Sequence, residues 1–217
     1  MERIIEADLA KLKTDMLTVF HMAQAGVEKA LRAVFARDAA AARAVIASDA
    51  AIDGLECTLD AEILRLLALH QPVAGDLRYI LGCMRAVGDI ERIGDQAVGI
   101  AHRALLLERE AVPPPGSLEE LAEATRAFLV RTATCFAELD LDIARRVCEE
   151  SEDILELNVG ILKEMTQYMR DAARPMERAV QICFIAHGLK RVCDQCTNIA
   201  ESVVFIREGA CSRHRCD

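Results

Sequence analysis

Apolar residues recur along this chain at intervals of three and four, the period of an amphipathic helix. Val45, Ile52, Leu59, Ile63 and Leu66 form one such stripe, and Leu77, Ile80, Leu81, Met84 and Val98 another. The five prolines, Pro72, Pro113, Pro114, Pro115 and Pro175, all fall where the pattern breaks. Proline suits a helix's first turn or a linker and is poorly tolerated further in. The pattern predicts helices over about 3–37, 39–70, 74–108, 118–138, 141–172 and 176–208, to within a few residues. Asp38 and Asp140 stand as N-caps, Ser117-Leu-Glu-Glu120 as a capping box, and Gly209 as a stop. Helices of ~30 residues are ~45 Å long, and short connections make them pack antiparallel.

One segment occurs twice. Glu91-Arg-Ile-Gly-Asp95-Gln-Ala-Val-Gly-Ile-Ala101 returns 99 residues later as Lys190-Arg-Val-Cys-Asp194-Gln-Cys-Thr-Asn-Ile-Ala200. The copies occupy the same place in the third and sixth predicted helices. The fold expected is therefore all-α, a tandem duplication of two three-helix antiparallel bundles. The first repeat spans 1–110, a Pro-rich linker 111–117, the second repeat 118–209 and a Cys-containing tail 210–217.

The carboxylates break the amphipathic pattern. On a helical wheel of the third helix, Arg78, Arg85, Arg92, Gln96 and Arg103 share a sector that reads as the solvated face. Glu91 and Asp95 fall instead with the apolar residues. In the second helix Asp49 and Glu56 lie inside the apolar stripe, and Asp53 and Asp60 at its edge. Asp49/Asp53 and Glu91/Asp95 have the four-residue spacing that stacks side chains on one face. Carboxylates aimed into a bundle protonate, pair with cations or bind metal, and an oxygen-rich set suits hard cations. Pairing with Arg and Lys across the bundle, or a solvated groove, accounts for the same spacing.

Composition narrows the field. The chain has 217 residues, is 53% hydrophobic and only 4% aromatic, and lacks Trp, which favours helix over sheet. A net charge of -9 argues against duplex nucleic acid or an anionic membrane as the main partner. No apolar run reaches the ~18–20 residues of a membrane span. Residues 1–15 mix acids and bases, unlike a signal peptide. The nine cysteines follow no framework spacing and are expected as reduced thiols in a cytosol. Cys193-Asp-Gln-Cys196 together with Cys211, His214 and Cys216 could make a zinc site, but its C-x-x-C lies mid-helix, where apolar packing is the simpler use. His102 shares the wheel position of Glu91 and Asp95. No Glu-x-x-His pair, phosphate loop or nucleophile elbow is present.

Gln71-Pro-Val-Ala-Gly-Asp76-Leu-Arg78 followed by Asp89-Ile-Glu91-Arg-Ile-Gly-Asp95 resembles the first-repeat signature of the PhoU proteins. Lys190 to Glu201 resembles the second-repeat version, and Asp49-Ala-Ala-Ile-Asp53-Gly-Leu-Glu56 the family's helix-two motif. The resemblance runs from about residue 5 to residue 208. It implies paired three-helix bundles about a pseudo-twofold axis. It also implies a cytoplasmic regulator of phosphate uptake and phosphate-starvation signalling, peripheral to the inner membrane through its partners. Such a protein works as an adaptor between the phosphate ABC transporter's ATPase subunit and a phosphate-sensing histidine kinase, negative when phosphate is plentiful, as a homodimer and without catalysis. Some members bind multinuclear clusters of iron or other metals, here iron, Zn, Mn or Mg. The implied ligands are Asp49, Asp53, Glu91 and Asp95, with Glu56, Asp76 and Asp194 as weaker candidates. The second repeat departs from the pattern: Ser151 and Leu155 stand where an acidic pair is expected, and Lys190 replaces the Glu. One metal site is therefore expected, in the first repeat only, with Lys190 paired to Asp194 in the second. The alternative function is a metal-binding bundle for storage or for hydrolytic or oxidase chemistry.

Overall fold

The structure is a computed structural model that describes residues 2–107, 114–170 and 176–209. Its elements are α1 (Glu2–Ala36), α2 (Ala39–His70), α3 (Ala74–Leu107), α4 (Gly116–Glu138), α5 (Leu141–Glu149), α6 (Ser151–Met169) and α7 (Met176–Glu208). No strand occurs among the described residues. The backbone N–H groups of Ala41 and Ile143 each donate to the side chain of the expected cap, Asp38 and Asp140, at 2.9 Å. Gly209 takes a left-handed φ of 73° and its N–H closes onto the Phe205 carbonyl, which ends α7.

Two local expectations are corrected. The predicted capping box does not form: α4 begins two residues earlier, at Gly116 behind Pro115, and the Ser117 hydroxyl donates to Glu164 on α6 instead. The fifth predicted helix, 141–172, breaks at Glu150 into α5 and α6. Glu150 has ψ near 0° and its N–H reaches back to the Arg146 and Cys148 carbonyls, while the Ser151 hydroxyl also donates to the Cys148 carbonyl. Such back-bonding draws carbonyls out of the helical ladder and bends the rod. Residues 171–175, including Pro175, and 111–113 of the linker lie outside the described residues. Pro114 and Pro115 are non-helical, and Gly116 and Ser117, placed in the expected linker, belong to α4.

α1, α2 and α3 pack on one another, and α4 to α7 form the second bundle. The halves meet chiefly through α3 against α7, with α1 also touching α4. One connected apolar core runs through both, with Phe20 in the first half and Phe128 and Phe136 in the second. α3 and α7 lie antiparallel: Gly82 faces Ile206, Asp89 faces Asn198, Ile100 faces Gly188 and Arg103 faces Gln181. Combined with the 99-residue repeat, this register puts the pseudo-twofold axis beside Gly94 and Cys193, inside the repeated segment itself. A Cβ on Gly82 would sit 2.3 Å from the Ile206 side chain, so only glycine allows this approach.

Candidate functional site: an acidic groove between α2 and α3

The motif glycine positions the site. Gly94 lets Ile52 of α2 lie against the α3 backbone, where an added Cβ would come within 3.0 Å of it. That close approach brings the acids of the two helices onto one flank. Glu91, Asp49, Glu56 and Asp60 are half-buried, whereas Asp53 and Asp95 are exposed. The expectation of acids aimed into the bundle is thus corrected. They line the outer edge of the α2/α3 contact, where a three-helix bundle leaves carboxylates within reach of water.

The electrostatics show that these acids form one group. Burial, then Asp95, Glu56 and Asp53, push the Glu91 carboxyl up to about 7, and Arg92 opposes only in part. Burial and the neighbouring charges of Asp53 and Asp95 raise Asp49, with His102 acting the other way. Glu56 is raised by burial first and then by Asp60 and Asp53. His102 therefore faces Asp49, as its wheel position indicated. Asp60 and Arg92 belong to the group although neither was singled out as part of the site. Asp60's position at the edge of the stripe was the available signal. Asp76 stands apart in the first turn of α3, fifteen residues and ~22 Å from Glu91, where it complements the helix dipole.

Asp194 is separate from these acids. Lys190 Nζ lies 2.8 Å from its Oδ2, the expected pair in the second repeat. Ser151 is engaged with the Cys148 carbonyl, and Leu155 is 47% exposed. The face that is acidic in the first repeat is thus apolar and internally neutralised in the second.

The all-oxygen donors of Asp49, Asp53, Glu91 and Asp95 have the chemistry of a hard-cation site, and their mutual repulsion is what a cation would relieve. Among the described residues no three His, Cys, Asp or Glu side chains are already gathered as a ligand set. Cys193 and Cys196 are buried, and Cys193 Sγ donates to Thr125 Oγ1 at 3.6 Å. Burial pushes the Cys193 thiol up to about 12 and Cys196 well above its usual range, which marks packing thiols rather than metal thiolates. Cys211, His214 and Cys216 lie outside the described residues.

The PhoU domain family model matches residues 16–104 and again residues 118–203. This chain belongs to the PhoU family. A "Phosphate-specific transport system accessory protein PhoU homolog" of Xylella fastidiosa (strain Temecula1) is 34% identical over 214 residues, covering 97% of this chain and 89% of that protein. The "Phosphate-specific transport system accessory protein PhoU" of Escherichia coli (strain K12) is 29% identical, covering 96% and 87%. The crystal structure of PhoU from Pseudomonas aeruginosa superposes with a TM-score of 0.90 at 30% identity, over 94% of this chain and 99% of that one. The "phosphate transport system regulatory protein PhoU" of Streptococcus pneumoniae also gives 0.90, at 26% identity over 95% and 98%. The internal duplication is a duplication of the PhoU domain, and the acidic groove belongs to the first copy.

Proposed function

We infer that this chain regulates phosphate transport. The observation that carries the reading is full-length similarity, with both PhoU repeats present, to proteins named as accessory or regulatory components of phosphate transport. The finer proposal is an adaptor. It acts in the cytoplasm beside the inner membrane, bridging the phosphate ABC transporter's ATPase subunit and a phosphate-sensing histidine kinase. It holds the starvation response off when phosphate is plentiful and does no chemistry of its own. No helix among the described residues is long and apolar enough to cross a membrane, so the bridging falls to surfaces rather than to a span. Homodimerisation belongs to the same proposal.

The metal reading rests on the acidic groove. Asp49, Asp53, Glu91 and Asp95 would hold a cation or a small cluster, with Glu56 beside them, and the charge it supplies would offset their repulsion and stiffen the α2/α3 contact. Lys190 supplies a fixed positive charge in the second repeat, so one loaded site per chain is proposed. The alternative of storage, hydrolytic or oxidase chemistry at that site would require metal-dependent turnover. A pull-down against the ATPase subunit and the kinase sensor domain, in high and low phosphate, tests the adaptor. Retention of both supports it, and retention of neither removes it.

A further inference from the structure

The arginine side of α3 is not the plain solvated face that its wheel indicates. Arg78 and Arg103 are half-buried because α7 lies against them. Arg78 Nε donates to the Ile206 carbonyl at 3.0 Å, and an Arg103 N–H to Gln181 Oε1 at 3.3 Å. The Arg85 guanidinium rests 4.1 Å from the Phe205 ring centre, and that of Arg103 4.5 Å from Phe184. Arg92 and Arg191 are repeat equivalents on either side of the pseudo-twofold axis, and both are exposed. Among the described residues no carboxylate lies within ion-pair distance of Arg85, Arg103 or Arg191. A chain of net charge -9 thus holds Arg78, Arg85 and Arg103 in place with aromatic rings and amide or carbonyl oxygens, whereas Arg92 pairs with Asp89 Oδ1 at 3.2 Å on its own helix and stays exposed. Arg85 and Arg103, pre-positioned without a carboxylate partner, keep their full charge for an external anion.

We propose that the α3/α7 seam is a docking surface for an acidic helix of a partner protein, read by Arg85, Arg103 and Arg191, with Arg92, shared with Asp89, between them. This deepens the reading of the chain as a docking regulator and rests on it. The spacing argues for a helix. Arg85, Arg92 and Arg103 are seven and eleven residues apart, two and three turns along one side of α3, or ~10 and ~16 Å. Carboxylates at the same spacing on a partner helix meet them in register. Phe184, 51% exposed, adds the apolar anchor that interfaces pair with arginine. Gly99, with nothing within 4 Å of an added Cβ, allows a close backbone approach beside the seam. The acidic groove one lane away decides against a broad polyanion. A membrane surface or a duplex would press phosphates on Glu91 and Asp95 as well as on the arginines. A single helix can offer acids to the seam and bases to the groove.

The test uses the whole chain and two synthetic helical peptides. One carries Glu at positions spaced by seven and eleven residues, the other Gln at the same positions. Fluorescence anisotropy is expected to show saturable binding of the Glu peptide only. That binding should weaken about tenfold or more from 50 to 300 mM NaCl, and about tenfold or more in R85Q/R103Q. R85K/R103K keeps the charge and should bind within about threefold of the parent, with circular dichroism establishing that both variants fold. Equal binding of both peptides, undiminished binding by R85Q/R103Q, or arginine-dependent binding of a DNA duplex or phosphatidylglycerol vesicles in place of the peptide overturns the proposal. In the pull-down, R85Q/R103Q retaining the partner as well as the parent also overturns it while leaving the regulator reading intact. Loss of partner by the parent itself counts against the regulator reading instead.

Discussion

At the scale of single residues, Glu91 sets the behaviour of the acidic groove. Its carboxyl sits at about 7, against an ordinary 4.5, through burial and the charges of Asp95, Glu56 and Asp53. The folded chain therefore holds this proton more tightly than the unfolded chain. The resulting stability is complete below about 4.5 and is lost as the pH climbs to about 7. Metal-free protein is expected to melt lower at pH 8 than at pH 5. Glu91→Gln should raise Tm at pH 8 by roughly 2–4 °C, about 1 kcal/mol once water screening is allowed for, and should leave Tm at pH 5 unchanged. An unchanged Tm at pH 8 would remove the repulsion from the account. A bound cation reverses the sign, so loaded protein should be most stable at the higher pH. Metal analysis of purified protein should find one site's worth of metal, lost in Asp95→Ala. More than one site per chain, or loading indifferent to that change, contradicts first-repeat binding. Among the cysteines, exposed Cys57 should alkylate quickly in native protein, while buried Cys83, Cys135, Cys193 and Cys196 stay protected until unfolding. Peptide mass spectrometry distinguishes these sites.

At the scale of elements, helix identity was legible because it is a local property. Proline positions, the Asp38 and Asp140 caps and the three-four apolar period all act within a few residues of one another. Asp140→Ala should cost about 1 kcal/mol, read as a lowered denaturation midpoint, because the Ile143 N–H loses its acceptor. The Ser117 capping box misled because a partner distant in sequence, Glu164, captured the hydroxyl. The break at Glu150 was equally hidden, since a run of helix-compatible residues does not show where Ser151 will turn back on a carbonyl. The wheel correctly grouped Glu91, Asp95 and His102. It could not tell an interior position from an edge position, because that depends on how far α2 and α7 wrap around α3. The same ignorance made the arginine sector look merely solvated.

At the scale of the molecule, the two repeats are joined as tightly as the helices within each. Ile100 and Ile206, both buried, have their cover on the opposite half. Asp89, 7% exposed, accepts from Asn198 Nδ2 at 3.1 Å across the seam. Its repeat equivalents are Gly188 and Gly99, so the polar link exists on one side of the axis only. Gly82→Val should destabilise the fold by about 1–3 kcal/mol through its clash with Ile206, read as a lowered Tm. Calorimetry of the parent should show one transition rather than two. The duplication itself was plain in the sequence, as was the exchange of Glu91 for Lys190. The asymmetry it produces was only half visible, because the seam arginines take on meaning once α7 is set beside α3, and Leu155 once α6 is set on α7. The most direct test of the central claim is a phosphate-starvation promoter reporter in a bacterium whose own PhoU gene has been removed. Restoring this chain is predicted to silence the reporter in high phosphate and to leave it inducible in low phosphate. A reporter that stays on in high phosphate, with the chain present and folded, would contradict the account.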